Sequence, residues 1–371
     1  MTQHSENDFM PDVPQAPHAP TDRWMIYGAT GYTGRLIAAE AARRGMNPII
    51  AGRNRAAVEE LANQLDLEWR AFAIDSVPQL EAEFKDIKLV LNCAGPFIST
   101  ADTVVRACIR DGTHYLDIAG EPDVFEQILA HNDEAKVAGS VVIPGTGFDV
   151  VPSDMLANSL VARLPDATTL EMAFYGNGDG SAGSAKTVLG MMADKCKVRR
   201  DGKLKSIPLA ALQKQVQFSD REAWCMSVTW GDICSAWHST GIPNITMYMA
   251  TTREAAKTMR RLSPLTPLLG IAAIRRKLFA KIEKSKWGPD ADMRESSCMR
   301  LWGKASNTQG DSVEATVDTL EGFTLTTLTS LRCVEKVLSG AVGEGGCYTP
   351  TQAFGTELAL GIPGTVLRWR E

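Results

Sequence analysis

The chain has 371 residues, 44% hydrophobic and 22% charged, with a formal net charge of −5. That length suits two domains with a large core, and the mild acidity leaves no basic footprint for nucleic acid. No apolar run reaches the length needed to cross a bilayer, so the expectation is a cytoplasmic protein. The eight cysteines are scattered, with no Cys-x-x-Cys and no histidine cluster beside them. This spacing encodes neither a zinc site nor a redox dithiol and fits reduced thiols, so no metal is expected.

Residues 1–22 are polar, carry Pro11, Pro14, Pro17 and Pro20, and lack a signal-peptide core. They read as a disordered leader. The apolar run Trp24-Met25-Ile26-Tyr27 then breaks into Gly28-Ala29-Thr30-Gly31-Tyr32-Thr33-Gly34. Gly28 permits a tight exit from a strand, Gly31 lets backbone approach a pyrophosphate, and Gly34 lets the following helix pack close. The first two glycines stand three positions apart where the usual fingerprint has two. The strand before and the helix after, roughly 33–44 and closed by Arg43-Arg44-Gly45, support the reading.

Strands and helices then alternate: strand 47–51, helix 55–65, strand 68–74, helix 77–84, strand 88–92, helix 101–110, strand 114–118, helix 123–137 and strand 140–144. With 23–27 these six strands make the two βαβαβ halves of a dinucleotide-binding sheet. Ligands of such sheets sit beyond the carboxyl ends of the strands, so the strand ends are the candidate site. The second ends in Arg53 and Asn54, where an NAD enzyme usually carries an acid for the ribose. A guanidinium there would bind the 2′-phosphate of NADP with paired hydrogen bonds, or simply be a solvated arginine opening a helix. Asp75 ends the third strand and either contacts adenine or caps the next helix. Asn92-Cys93-Ala94-Gly95-Pro96-Phe97 ends the fourth, its small residues letting a nicotinamide ribose lie against backbone, with Phe97 as wall or core. Asp117 and Glu121 follow the fifth, and Asp149 and Asp154 the sixth. These acids either orient a substrate or serve as helix caps and interdomain ties.

Beyond 164 the rhythm changes. A strand at 167–175, a glycine-rich loop at 176–183, a helix at 184–194 and a hairpin of 197–200 with 203–207 lead to polar–apolar alternation at 225–230, 245–249, 299–305 and 313–320. This predicts an α+β domain on an antiparallel sheet. The glycine loop is not followed by the lysine of a P-loop, and Ser184 and Thr187 read as helix caps. His238, expected on a loop between strands, Lys186, Tyr175 and Asp149 are the candidates for proton transfer. None of the six tyrosines has a lysine four residues on, which excludes the short-chain-dehydrogenase pair. Trp224, Trp230 and Trp237 read as sheet packing. The apolar run 265–278, flanked by Arg260, Arg261, Arg275, Arg276 and Lys277, reads first as a buried interdomain or dimer helix and alternatively as a helix lying in a membrane interface.

Taken together, residues 27–34, Ala51-Gly52-Arg53, Asn92–Phe97, Gly112–Glu121 and Gly147–Asp154 resemble the saccharopine dehydrogenase-like oxidoreductases. Within that group the likeness is nearest to the trans-acting enoyl reductases, and it extends more loosely to Ser181–Thr187 and Thr349–Gly355. The resemblance implies an NADP-type Rossmann domain, a substrate domain inserted after the sixth strand, and often a dimer. The expected architecture is therefore α/β: a doubly wound parallel sheet over 23–160 and an α+β substrate and dimerisation domain over 161–348, with 349–371 packing back on the first. The expected function is NADP(H)-dependent hydride transfer to or from a C=N or C=C bond of a small molecule. The rival readings are enoyl reduction on lipid intermediates and a non-catalytic NADP-binding scaffold.

Overall fold

The computed structural model describes residues 10–11, 22–176, 180–193, 195–285 and 288–370. Most of the expected leader and residues 177–179 of the glycine loop lie outside these. The first half alternates β1 (Trp24–Tyr27), α1 (Tyr32–Arg43), β2 (Ile49–Gly52), α2 (Arg55–Leu65), β3 (Trp69–Ala71), α3 (Val77–Phe84), β4 (Leu89–Asn92), α4 (Ala101–Asp111), β5 (His114–Asp117), α5 (Pro122–Leu129), α6 (Asn132–Ala138), β6 (Val141–Ile143) and α7 (Val151–Arg163). These strands form a parallel sheet in the order β6-β5-β4-β1-β2-β3, which reverses direction between β4 and β1. Every residue of β1, β2, β4, β5 and β6 is buried, as expected of short apolar strands covered by helices on both faces. Two elements depart from expectation. The third strand shrinks to three residues. The helix expected over 123–137 breaks at His131, whose ring nitrogens lie 2.9 Å from Asp102 and 3.1 Å from Glu134.

The second half comprises β7 (Thr169–Gly176), α8 (Ala182–Ala193), β8 (Cys196–Arg200), β9 (Lys203–Ile207), β10 (Gln213–Gln217), β11 (Glu222–Val228), α9 (Asp232–Thr240), β12 (Asn244–Thr251), α10 (Arg253–Leu262), a 3₁₀ segment (Ser263–Gly270), α11 (Ala272–Ser285), α12 (Ala291–Ser296), β13 (Cys298–Ser306), β14 (Ser312–Leu320), α13 (Gly322–Leu338), β15 (Gly346–Cys347), α14 (Pro350–Phe354), α15 (Glu357–Leu360) and β16 (Val366–Arg370). The second sheet runs β10-β11-β12-β7-β13-β14-β16, with β8 attached to β12 and β9 paired to β8. It is mixed rather than antiparallel, because β12 runs parallel to β7. Parallel neighbours need a long crossover, and everything between 176 and 244 supplies one; alternation of side chains does not encode strand direction.

The chain's last third ties the two sheets together. Helix α13 packs against α1, β4 and β5, while β15 adds a seventh strand beside β6. Helices α14 and α15 lie on α7, and β16 closes the edge of the second sheet against β14. One apolar core consequently runs through both, from Ile26 and Leu91 through Leu156 and Leu160 of α7 to Leu301, Val317 and Leu328. Such a continuous core fixes the cleft between the sheets.

The expected buried helix over 265–278 is corrected. Pro264, Pro267 and Gly270 deny an α-helix its amides and its entropy, so the first part forms a 3₁₀ segment to Gly270, and only from Ala272 does the α-helix α11 begin. Leu265, Leu268, Ile271 and Ile274 are exposed, at 56, 50, 48 and 38%.

Candidate functional site

The glycine turn joins β1 to α1 at the point where the strand order reverses. Gly28 holds φ at +84°, and a Cβ there would stand 2.7 Å from the Ala94 amide and 2.8 Å from the Cys93 carbonyl carbon. A side chain at Gly34 would strike the Gly28 carbonyl oxygen, so the helix start lies flat on the turn. Gly31 differs: it is exposed, and a Cβ would meet only the Gly28 oxygen, at 3.4 Å. Gly31 is also the N-cap of α1 and offers no side-chain cap, so the first-turn amides of a twelve-residue helix face outward unpaired by any side chain. Amides and dipole together make an anion site of the kind a pyrophosphate fills.

The other residues expected here divide sharply. Thr33 lines the cavity described below, and the Thr30 carbonyl oxygen accepts from Arg35 Nε at 3.2 Å. The Tyr32 side chain turns away from the turn's open face. Its ring lies edge-on to Phe323 with centroids 4.8 Å apart, and its hydroxyl donates to the Pro289 carbonyl and accepts from Arg294 at 3.0 Å. It clasps the turn to the second half of the chain. Arg53 is exposed at the end of β2. Asn54 is the N-cap of α2, its side chain accepting from the Ala57 amide at 3.3 Å. Asp75 is not a cap, since Ser76 holds that position on α3. Both Arg53 and Asp75 stand near Tyr27: burial pushes the Tyr27 phenol up to about 12, the Arg53 charge opposes this and the Asp75 charge adds to it.

After β4, the fully buried Asn92 spends its side chain on its surroundings, accepting from the Ala94 amide at 3.0 Å and donating to the Tyr115 hydroxyl at 3.3 Å. It shapes the loop rather than pointing into the site. Ala94 abuts Gly28, Pro96 follows a cis peptide, and Cys93, Gly95 and Phe97 line the cavity.

That cavity, about 280 Å³, opens at the carboxyl ends of β4, β5 and β6. Its floor is Thr33, Cys93, Gly95 and Phe97. Its far wall comes from Phe174 on β7, Trp230 and Met299, with α8 contributing Ser184, Thr187 and Met191. Phe174 and Trp230 pack in a tilted arrangement with centroids 4.5 Å apart, and Phe148 meets Phe174 edge-on at 6.4 Å.

Three carboxyls line the same space: Glu121, Asp149 and Glu321. Glu121 accepts from the Gly120 amide at 3.0 Å and from Thr187 at 3.5 Å, and burial raises its pKa. Glu321 caps α13, accepting from the Phe323 and Thr324 amides at 2.9 Å each, and burial raises it as well. Asp149 has no hydrogen-bond partner among the described residues. Burial, with the Glu121 charge beside it, pushes its carboxyl up to about 7. A carboxyl so placed is protonated for a large fraction of the time at neutral pH, with a proton it can give away. Its position is enforced. The Phe148 amide donates to Thr326 Oγ1 at 2.9 Å, and a Cβ on Gly147 would stand 2.8 Å from Thr326 Cγ2. Helix α13 therefore pins the loop that carries Asp149.

The remaining proton-transfer candidates lie elsewhere. His238 sits in the last turn of α9 rather than on a loop, outside the cavity lining, with burial lowering its pKa. Tyr175 follows Phe174 on β7, and consecutive strand residues face opposite sides. Phe174 takes the cavity, while Tyr175 accepts from Arg221 at 2.9 Å on the other face. Lys186 borders a second cavity of about 300 Å³ that shares Glu121, Thr187 and Met191 with the first. Among the described residues no cluster of three or more His, Cys, Asp or Glu is placed to hold a metal.

Residues 24–143 match the model of the saccharopine dehydrogenase NADP binding domain. The match covers about a third of the chain, and over that stretch the chain is similar to saccharopine dehydrogenase-like oxidoreductases. The human saccharopine dehydrogenase-like oxidoreductase is 27% identical over 214 residues, half of each chain. A Mycobacterium tuberculosis protein provisionally named a trans-acting enoyl reductase is 32% identical over 144 residues, 37% of this chain and 34% of that one. The chain thus matches between a third and a half of these relatives' length. In three dimensions it superposes on saccharopine dehydrogenase (L-Glu forming) from Saccharomyces cerevisiae with a TM-score of 0.64 at 13% identity, covering 94% of this chain and 100% of that one. That likeness shows a shared fold: a Rossmann sheet joined to a second, mixed-sheet domain.

Proposed function

We propose that this protein is an NADP(H)-dependent oxidoreductase that transfers hydride to or from a C=N or C=C bond of a small molecule. The observation that carries the reading is the unpaired, half-buried Asp149 carboxyl in a cavity shared with the strand ends beside the glycine turn. The open amides at Gly31 would hold the pyrophosphate, and Arg53 the 2′-phosphate. Cys93 to Phe97 would form the floor under the nicotinamide. When bound, the dinucleotide supplies the hydride. Asp149 would donate its proton to the nitrogen of a C=N, or to the carbon at the far end of a C=C, as that bond is reduced. The Glu121 charge helps keep that proton in place until it is needed. Phe97, Phe174 and Trp230 exclude water and orient the substrate.

The aromatic lining, with no Lys or Arg among the described lining residues, gives particular support to an apolar substrate and hence to the enoyl form of the reaction. The cofactor assignment is tested by Arg53→Asp. NADPH affinity should fall on the order of tenfold or more, with little change for NADH, because only NADPH has the phosphate that pairs with the guanidinium. Equal losses for the two nucleotides in a fluorescence titration would remove Arg53 from this role.

A further inference from the structure

We infer that the segment from α10 through α11 docks on the surface of an anionic lipid bilayer. Leu262, Leu265, Leu268, Ile271 and Ile274 are all exposed, between 38 and 56%, and they recur at every third position. Leu265 and Leu268 lie in the 3₁₀ segment, where residues three apart share a face; Leu262 ends α10 just before it, Ile271 caps it in extended conformation and Ile274 follows in α11, so the five form a run of exposed apolar side chains along the segment. Helix α10, which leads into it, buries only Ala256.

Charge selects the occupant. Residues 255–282 hold seven Lys and Arg and no Asp or Glu, in a chain whose net charge is −5. Arg260 and Arg261 precede the run, and Arg275, Arg276 and Lys277 close it. An apolar run bracketed by cations matches a bilayer with anionic headgroups, where apolar side chains enter the acyl boundary and cations remain among phosphates. No helix among the described residues is long and apolar enough to cross a membrane, so the contact is peripheral. The run also adjoins the site. The 3₁₀ segment and α11 both pack on α8, whose Thr187 and Met191 line the main cavity, and Arg275 and Phe279 line the second. A docked molecule would therefore set the mouth of an apolar cavity beside the source of apolar substrates. This proposal goes beyond the cofactor reading and does not depend on it.

The test is co-sedimentation of the full chain with vesicles of phosphatidylcholine alone and of phosphatidylcholine mixed with phosphatidylglycerol. Binding is expected only to the anionic vesicles at about 0.1 M salt, with release at high salt. Arg275→Ala with Arg276→Ala should weaken partition by roughly fivefold per charge. Leu265→Glu with Leu268→Glu should abolish it. Both pairs are solvent-exposed, and unchanged NADPH affinity and elution volume will establish that each variant is folded. Wild-type protein remaining in the supernatant, or binding that neither double variant weakens, would overturn the proposal. So would a wild-type dimer that Leu265→Glu with Leu268→Glu turns into a monomer, since a second copy would then cover the run.

Discussion

The two walls of the cavity are built by different physics. The wall at the ends of the parallel strands is made of backbone. Gly28, Gly31, Gly34 and Gly147 stand where a Cβ would collide with neighbouring chain or crowd an approaching ligand, and Asn92 and Glu321 spend their side chains on nearby amides. The opposite wall is made of side chains, Phe174, Trp230 and Met299, brought in by a mixed sheet and held by packing alone. A backbone wall suits a ligand common to a whole family, while a side-chain wall can be retailored without disturbing the fold. Substitution of a glycine in the first should therefore lose cofactor and stability together, and truncation of a side chain in the second should lose substrate alone.

The larger effect is expected at Gly28. Gly28→Ala places a Cβ 2.7 Å from the Ala94 amide in a residue at φ +84°. We expect a loss of about 3 kcal/mol in urea unfolding, together with loss of NADPH binding. Retention of both would show that the turn can relax, and the contrast between the walls would collapse. A smaller effect is expected at Trp230, whose ring packs against Phe174. Trp230→Ala should raise KM by roughly tenfold through lost apolar contact, with NADPH affinity unmoved. A parallel loss of NADPH would mean that the side-chain wall also holds the cofactor.

The same division decides what could be read in advance. The glycine turn, the alternating elements and Asp149 lie within short stretches whose local spacing carries the information. Phe174 and Tyr175 are both aromatic neighbours on one strand, so alternation predicts that one faces the cavity without saying which. His238 stands just before Gly241 and Pro243, which suit a loop, yet α9 packs on α5 and α7 and stays helical through Thr240. Glu321 and Phe323 join the site from the start of α13, where no local signal connects them to strands at the other end of the chain. Strand direction in the second sheet was similarly beyond local pattern.

The central claim is that Asp149 is the proton donor beside a hydride held on the glycine turn. It is tested most directly by following NADPH absorbance with a panel of imine and enoyl substrates, for wild type and Asp149→Asn, across pH. The account predicts turnover on at least one class, with kcat/KM for reduction falling as pH rises through about 7, where Asp149 loses its proton. Asp149→Asn should cut turnover on the order of a hundredfold or more, leave NADPH affinity intact and remove that pH dependence. Tight NADPH binding with no turnover on any substrate, or a variant with wild-type rate and pH profile, would contradict it.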